Sequence, residues 1–420
     1  MKKTFKSPLV KNALIYTLSD VINKSIPFLL LPFLTSFLNP SDYGIVSNFQ
    51  TLFALALVLI TIGAPNYYNT VFYKNKQSRN NIIVDNIIIT HLSVAILILV
   101  FILTSHAKIE AMLHLNLSWQ LLALIVAIFS TLTLLNLTYY RLSDKPFQFA
   151  GVEIILTIIN FSLSIILIYY FDMAGAGRIL GIAISQIFIG VVSFLVILSR
   201  SKFKVRIQIK EIKNILRFGL PIIPHGISIW FRSGFERVVI TSAFGTASVG
   251  IYATGFQLGL VLSILTVSFN KAFSPYIYEN LASVTYDKKV KLVRLTYLYF
   301  ILITLLAILI WIIESVFVKY FLNVRYASSI EFIPWILFAF AFQGMYFMVV
   351  NYIFYIHKTK ILALITFSTS FLHIILSIWL IPKFGPLVAA KLFLLVNFLT
   401  FIFTWFYSSK VYKMPWNVFK

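Results

Sequence analysis

The 420-residue chain has no cysteine, which excludes disulfides, thiolate nucleophiles and cysteine-held metal or iron–sulfur centres. It is also poor in charge: 11% of its residues are Asp, Glu, Lys or Arg, with 13 acids against 35 bases. A soluble domain spends roughly a quarter of its residues on charges, so this chain cannot coat a water-facing surface. Three familiar motifs are missing too. There is no Gly-x-x-x-x-Gly-Lys-Ser/Thr phosphate loop, no His-Glu-x-x-His metal pair and no Gly-x-Ser-x-Gly nucleophile turn. ATP hydrolysis and hydrolytic chemistry are therefore disfavoured, and neither cofactor nor metal is expected.

What the chain has in excess is apolar surface: 60% hydrophobic residues, 41 Phe, 22 Tyr and a mean hydropathy of +0.92. The expected class is an all-α polytopic membrane protein, with Phe facing lipid and Tyr and Trp forming interfacial belts. A spanning helix takes about 20 mostly apolar residues, and about twelve stretches qualify. They lie near 10–38, 45–67, 82–105, 117–140, 149–171, 175–199, 215–243, 248–272, 292–318, 331–356, 360–381 and 386–408. The opening Met-Lys-Lys-Thr-Phe-Lys imitates a signal peptide. The apolar stretch behind it runs about 30 residues, however, carries Asp20 and Lys24, and ends without a small-x-small site, so it reads as a retained span.

A net charge of +22 in a soluble chain would suggest nucleic acid. Here its distribution gives another reason. With the N-terminus cytoplasmic, about 25 bases fall in inside segments and about 5 in outside loops, among them Arg178. That bias predicts cytoplasmic termini and no nucleic-acid partner. The connections are short, which leaves no room for an external domain or lid.

Shifting the chain on itself by about 206 residues lays Pro40-Ser-Asp-Tyr-Gly-Ile45 on Thr246-Ala-Ser-Val-Gly-Ile251. Two six-helix halves, 1–205 and 206–420, related as parallel repeats around a central cationic cavity, are the expected organisation, as in several transporters. The first stretch of each half is interrupted: Pro27 and Pro32 in one, Pro221 and Pro224 in the other. Broken helices at membrane depth are tolerated against protein or a cavity, so both are expected to bend as cavity or portal walls.

Ionisable groups at membrane depth are costly and become candidates by default. Asp20 and Lys24, four apart, can neutralise each other; Arg232 and Glu236 repeat that spacing on a stripe with His225. Arg237 has no partner on its own helix and can serve the cavity or snorkel, as can Lys391. Glu153 is the lone carboxylate expected at mid-membrane outside the paired sites, a partner for Lys391 or Arg237 or a proton carrier. His91 and His373 read as hydrogen-bonded interior histidines. The positive surplus suggests an anionic substrate such as a phosphate or diphosphate head group.

The segments Leu216-Arg-Phe-Gly-Leu-Pro-Ile-Ile-Pro-His, Ser233-Gly-Phe-Glu-Arg-Val-Val-Ile and Val249-Gly-Ile-Tyr-Ala resemble polysaccharide flippases of the Wzx type. Those belong to the multidrug/oligosaccharidyl-lipid/polysaccharide superfamily, where the half-repeat reads Phe-Gly-x-Pro-x-x-Pro, Gly-x-Asp-Arg and x-Gly-x-Tyr. Glu236 replaces the usual Asp with its charge preserved. The turn at 40–44 resembles the first-half counterpart, and Gly385-Pro-Leu-Val-Ala-Ala the family's Gly-rich last helix. The resemblance implies outward flipping of an undecaprenyl-diphosphate-linked oligosaccharide in a bacterial inner membrane, by alternating access. Lys24, Arg232, Arg237, Lys391 and His225 would contact substrate, and Asp20, Glu153 and Glu236 would serve as charge partners or in proton coupling. Membrane lipids, a polysaccharide polymerase and chain-length proteins are the implied partners. A multidrug-type exporter fits less well, since cationic drugs favour acidic linings. A polymerase or ligase fits least, because such enzymes use a large external loop.

Overall fold

The structure is a computed structural model that describes residues 8–201, 207–283 and 285–417; the side chains of 8–14, 17, 18, 20, 24, 77, 78 and 201 lie outside the description. Among the described residues every regular element is helical. Among the described residues ten helices are long and apolar enough to cross a membrane. A shorter apolar run covers 21–37.

The chain divides into two compact units. The first holds residues 1–30 and 37–230, the second 31–36 and 231–420. The elements of the first are α1 (Pro8–Leu29), α3 (Pro40–Thr61), α4 (Ala64–Val71), α5 (Gln77–Leu113), α6 (Leu117–Leu142), α7 (Pro146–Tyr169), α8 (Ala174–Ser201), α9 (Ile209–Gly219) and most of α10 (Ile223–Ser233). The second holds most of α2 (Leu31–Phe37), then α11 (Phe235–Ala282), α12 (Tyr286–Phe321), α13 (Ile333–Tyr355), α14 (Thr359–Phe384) and α15 (Leu387–Val411).

Local chemistry sets the ends of these helices. Asn39 and Asn116 cap α3 and α6 by accepting from the backbone N–H groups of Asp42 and Trp119 at 2.9 and 3.0 Å. Proline opens α3 and α7, where its missing N–H costs no hydrogen bond. Along α12 the buried positions Ile303, Ala307, Ile310, Glu314 and Val318 form one stripe at helical spacing, while Leu305, Leu309 and Ile312 are exposed on the other side. An apolar outer face of that kind is stable against lipid, and the ladder of internal backbone bonds leaves no amide unsatisfied there.

The two interrupted stretches are divided in the structure. The first, expected over 10–38, is split at Leu30 into α1, containing Pro27, and α2, opening Leu31-Pro32. The other, expected over 215–243, is cut twice, and a third break follows just beyond its end. A 3-10 turn at Leu220–Ile222 carries Pro221, Gly234 leaves the helical path at φ −121° and ψ −35°, and Gly245 sits at φ +81°. The positive φ at Gly245 is a conformation that a β-carbon disfavours, so this glycine makes the corner inside α11. Residues 208–230, expected to open the second half, pack in the first unit. Gly219 comes so close to Ile62 that an added Cβ would lie 1.9 Å from the Ile62 carbonyl oxygen, and Trp230 Nε1 donates to the Thr51 carbonyl at 3.0 Å.

Candidate functional site

In the second unit the break at Gly234 delivers Glu236 to the first turn of α11, where unpaired backbone N–H groups favour negative charge. Glu236 is fully buried. The Arg232–Glu236 pair expected from their spacing is not formed: the helix they were to share ends at Ser233, and Glu236 turns instead to His373 of α14 and to Tyr252 beyond the Gly245 corner of α11. One carboxylate oxygen, Oε1, accepts from Nε2–H of His373 on α14 at 2.6 Å. The other, Oε2, accepts from the Tyr252 hydroxyl. His373 is likewise fully buried, and among the described residues its Nδ1 has no hydrogen-bond partner.

An aromatic jacket keeps this phenol–carboxylate–imidazole set dry. Phe332 stands edge-on to Tyr252 at 5.6 Å, and Phe256 joins Phe340 and Phe393 at 5.8 and 5.4 Å. The Arg237 guanidinium lies over Phe256, 5.3 Å from its centroid. A low local dielectric strengthens each hydrogen bond and raises the cost of an unpaired charge. Chemically, the set can hold a proton between carboxylate and imidazole. His373 continues the buried face of α14 with Thr366, Thr369, Ser370 and Ser377; Thr400 of α15 donates to Thr369 at 3.0 Å.

The first unit buries a cation on neutral acceptors. Arg178, expected in an outside loop, lies instead inside α8 at 5% exposure. It donates to Asn160 Oδ1 at 2.5 Å and Ser164 Oγ at 2.6 Å, both on α7. Arg178 stands on the first turns of α8, which begins at Ala174, and those turns carry it against α7. Further along α6 and α8 a ladder of neutral pairs follows: Ser130 to Gln186 at 3.0 Å and Asn136 to Ser193 at 3.4 Å. Arg200 ends it, donating to Asn136 Oδ1 at 3.0 Å with its guanidinium 4.3 and 4.5 Å from the Tyr139 and Tyr140 centroids.

The remaining candidates are dispersed. Lys24 and Asp20 are on α1, with side chains outside the description. Arg232 is half-buried within electrostatic reach of the Tyr346 hydroxyl; among the described residues no carboxylate pairs with it. His225, Pro221 and Pro224 are exposed, Pro27 and Pro32 half-buried, and Glu153 half-buried on α7. Lys391 is exposed on α15, its Nζ 5.1 Å from the Trp335 ring centroid.

Glu153 is not the lone further carboxylate in the spans. Asp85 of α5 and Glu314 of α12 are each 3% exposed. Neither oxygen of Glu314 has a hydrogen-bond partner among the described residues. Its place in the buried stripe of α12, at helical spacing from Ile310 and Val318, is the signal that could have found it.

Comparison with known proteins fits this architecture. A family model described as polysaccharide biosynthesis protein matches residues 9–281. Two Haemophilus influenzae proteins are similar along most of their length. "Lsg locus putative protein 1" is 28% identical over 363 residues, 84% of this chain and 86% of its own. An "uncharacterized membrane protein" is 27% identical over 358 residues, 84% and 85%. Among solved structures the fold resembles the lipid II flippase MurJ in an inward closed conformation, with TM-score 0.74 and 14% identity over 98% of this chain and 89% of that one. It also resembles an inward-facing multidrug resistance MATE transporter of the MOP superfamily, with TM-score 0.72 and 13% identity over 92% and 94%. With the family model covering well over half its length, the chain belongs to the polysaccharide biosynthesis protein family, on a fold shared with a lipid II flippase and a MATE transporter.

Proposed function

We propose that this protein flips an undecaprenyl-diphosphate-linked oligosaccharide from the cytoplasmic to the outer leaflet of a bacterial inner membrane, by alternating access, for O-antigen or a related surface polysaccharide. The observation that carries the reading is the family match over 9–281 in a chain whose fold follows that of a lipid flippase along nearly its whole length. Lys24, Arg232, Arg237, Lys391 and His225 are the proposed contacts to the diphosphate. Arg232, with no carboxylate pairing among the described residues, is the strongest of them. The prolines at 27, 32, 221 and 224 permit the helix bends through which a lipid tail would pass. Glu236, held by an imidazole that can itself carry a proton, is the proposed coupling group, with Asp20 and Glu153 as further charge partners. Both termini are proposed to be cytoplasmic, and a polymerase and chain-length proteins to receive the product.

The electrostatics favour this direction. Moving about two negative charges outward across an inside-negative membrane gains roughly 2.3 kcal/mol per charge per 100 mV. The testing experiment is deletion in the native host followed by rescue. Surface polysaccharide should vanish on deletion and return with the wild type. It should stay absent with Arg232→Ala or Arg237→Ala at matched expression and return with Arg→Lys. Persistence of surface polysaccharide after deletion would refute the reading and favour a multidrug-type exporter, the second reading that the fold's likeness to a MATE transporter supports.

A further inference from the structure

Basic residues crowd one stretch of this chain. Between 200 and 217 stand Arg200, Lys202, Lys204, Arg206, Lys210, Lys213 and Arg217, against a single acid, Glu211. The fold turns that acid inward. Glu211 is 1% exposed, accepts from Arg79 Nη2 at 2.5 Å and from the Tyr67 hydroxyl at 2.6 Å, and so presents no charge outside. Arg79 also donates to Gln208 at 3.4 Å, and the Gln208 backbone N–H donates to Asn86 at 2.8 Å. At the other end of α9, Gly219 rests against the Ile62 carbonyl, and between them Ile215 enters the core with Ile83, Leu135 and Ile197.

Glu211, Ile215 and Gly219 are spaced by four, so these contacts fix one rotation of α9 about its axis. That rotation leaves an unusual outer face. Ile209 and Leu220 are 67% and 53% exposed, and at 100° per residue they share a sector with Leu216. Lys210, Lys213 and Arg217 fill the adjoining sector and are exposed. A water-facing helix has no reason to turn isoleucine and leucine outward while burying its one carboxylate. A helix lying in the head-group layer does, because the apolar strip enters the acyl boundary and the bases meet anionic head groups.

We infer that α9 is an anionic-phospholipid docking face, held in register by Glu211, Arg79 and Tyr67. The inference stands on α9 and its anchors, whatever the protein transports. An acidic protein partner would suit the bases but not the exposed Ile209 and Leu220, so the occupant is the lipid surface. The latch ties that surface to α4 and α5, the elements carrying Tyr67 and Arg79.

The test uses the full-length protein in discs of phosphatidylcholine alone and with about a third phosphatidylglycerol, reading retained lipid by native mass spectrometry and stability by thermal unfolding. The wild type should retain phosphatidylglycerol over phosphatidylcholine by about tenfold and unfold at a higher temperature in the mixed discs. The variant Lys210→Gln/Lys213→Gln/Arg217→Gln, altered only at exposed positions, should lose most of both responses while unfolding like the wild type in phosphatidylcholine. A control with the same charge loss, Lys288→Gln/Lys289→Gln/Lys291→Gln, should keep them. Retention of the preference by the first variant, or its equal loss in the control, would overturn the inference. An acidic protein bound by the wild type with no lipid preference would overturn it as well.

Discussion

The two units bury opposite charges by different means. In the first, Arg178 is solvated by an amide oxygen and a hydroxyl on a neighbouring helix, so the charge remains and its partners are neutral. In the second, Glu236 is held by a phenol and an imidazole, one of which can itself take up a proton. A guanidinium stays charged under all physiological conditions, so the first arrangement is fixed. The second sets an acid–base group on each side of one short hydrogen bond, where the first sets a charge against neutral acceptors. The first arrangement is solvation of a charge by neutral groups, and the second is the one proposed for coupling.

The comparison breaks first at Glu236. Glu236→Leu orphans the Tyr252 hydroxyl and the His373 N–H inside an aromatic shell, and should destabilise the protein by about 3–5 kcal/mol, read as thermal unfolding in discs. Arg178→Met removes a charge whose partners are neutral and, for Ser164, already bonded to the Asn160 carbonyl at 2.7 Å; it should cost about 1–2 kcal/mol. Equal losses would erase the distinction between the units. Glu236→Gln keeps a carbonyl acceptor for one of the two donors and sets an amide N–H group against the other, so it should cost about 1–2 kcal/mol yet abolish any dependence of transport on a pH gradient. Retained coupling in that variant would move the proton elsewhere. The smallest effect carries a reversed sign. Glu314 is buried without a donor among the described residues, so Glu314→Leu should be neutral or stabilising by up to about 1 kcal/mol. A large loss there would mean that Glu314 has a partner in another state of the protein.

The membrane class, the helical content and the breaks near Pro32 and Pro221 were legible in sequence, because composition, the 20-residue span and proline's backbone limits are local properties. The partners of buried charges were not. Spacing placed Arg232 and Glu236 on one helix face, but a glycine between them at 234 ended that helix, and the partner proved to be His373, 137 residues away. The partners of Arg178 were hidden for a related reason, since Asn160 and Ser164 belong to another helix and no spacing along α8 points to them. Nothing local in the sequence marks Glu211, set among bases, as inward; its docking against Arg79 and Tyr67 shows it as the anchor of α9. Periodicity gives the face of a helix, and the identity of what meets that face is tertiary.

The most direct test of the account is flipping in sealed vesicles containing the purified protein and a polyprenyl-diphosphate-linked oligosaccharide labelled on its sugar, with an impermeant reagent outside that destroys exposed label. The account predicts that label trapped in the inner leaflet becomes accessible when protein is present, much faster than in protein-free vesicles, and that Arg232→Ala removes most of the acceleration. Label as inaccessible with the wild-type protein as without it, in vesicles where the same protein expels a cationic drug, would contradict the account.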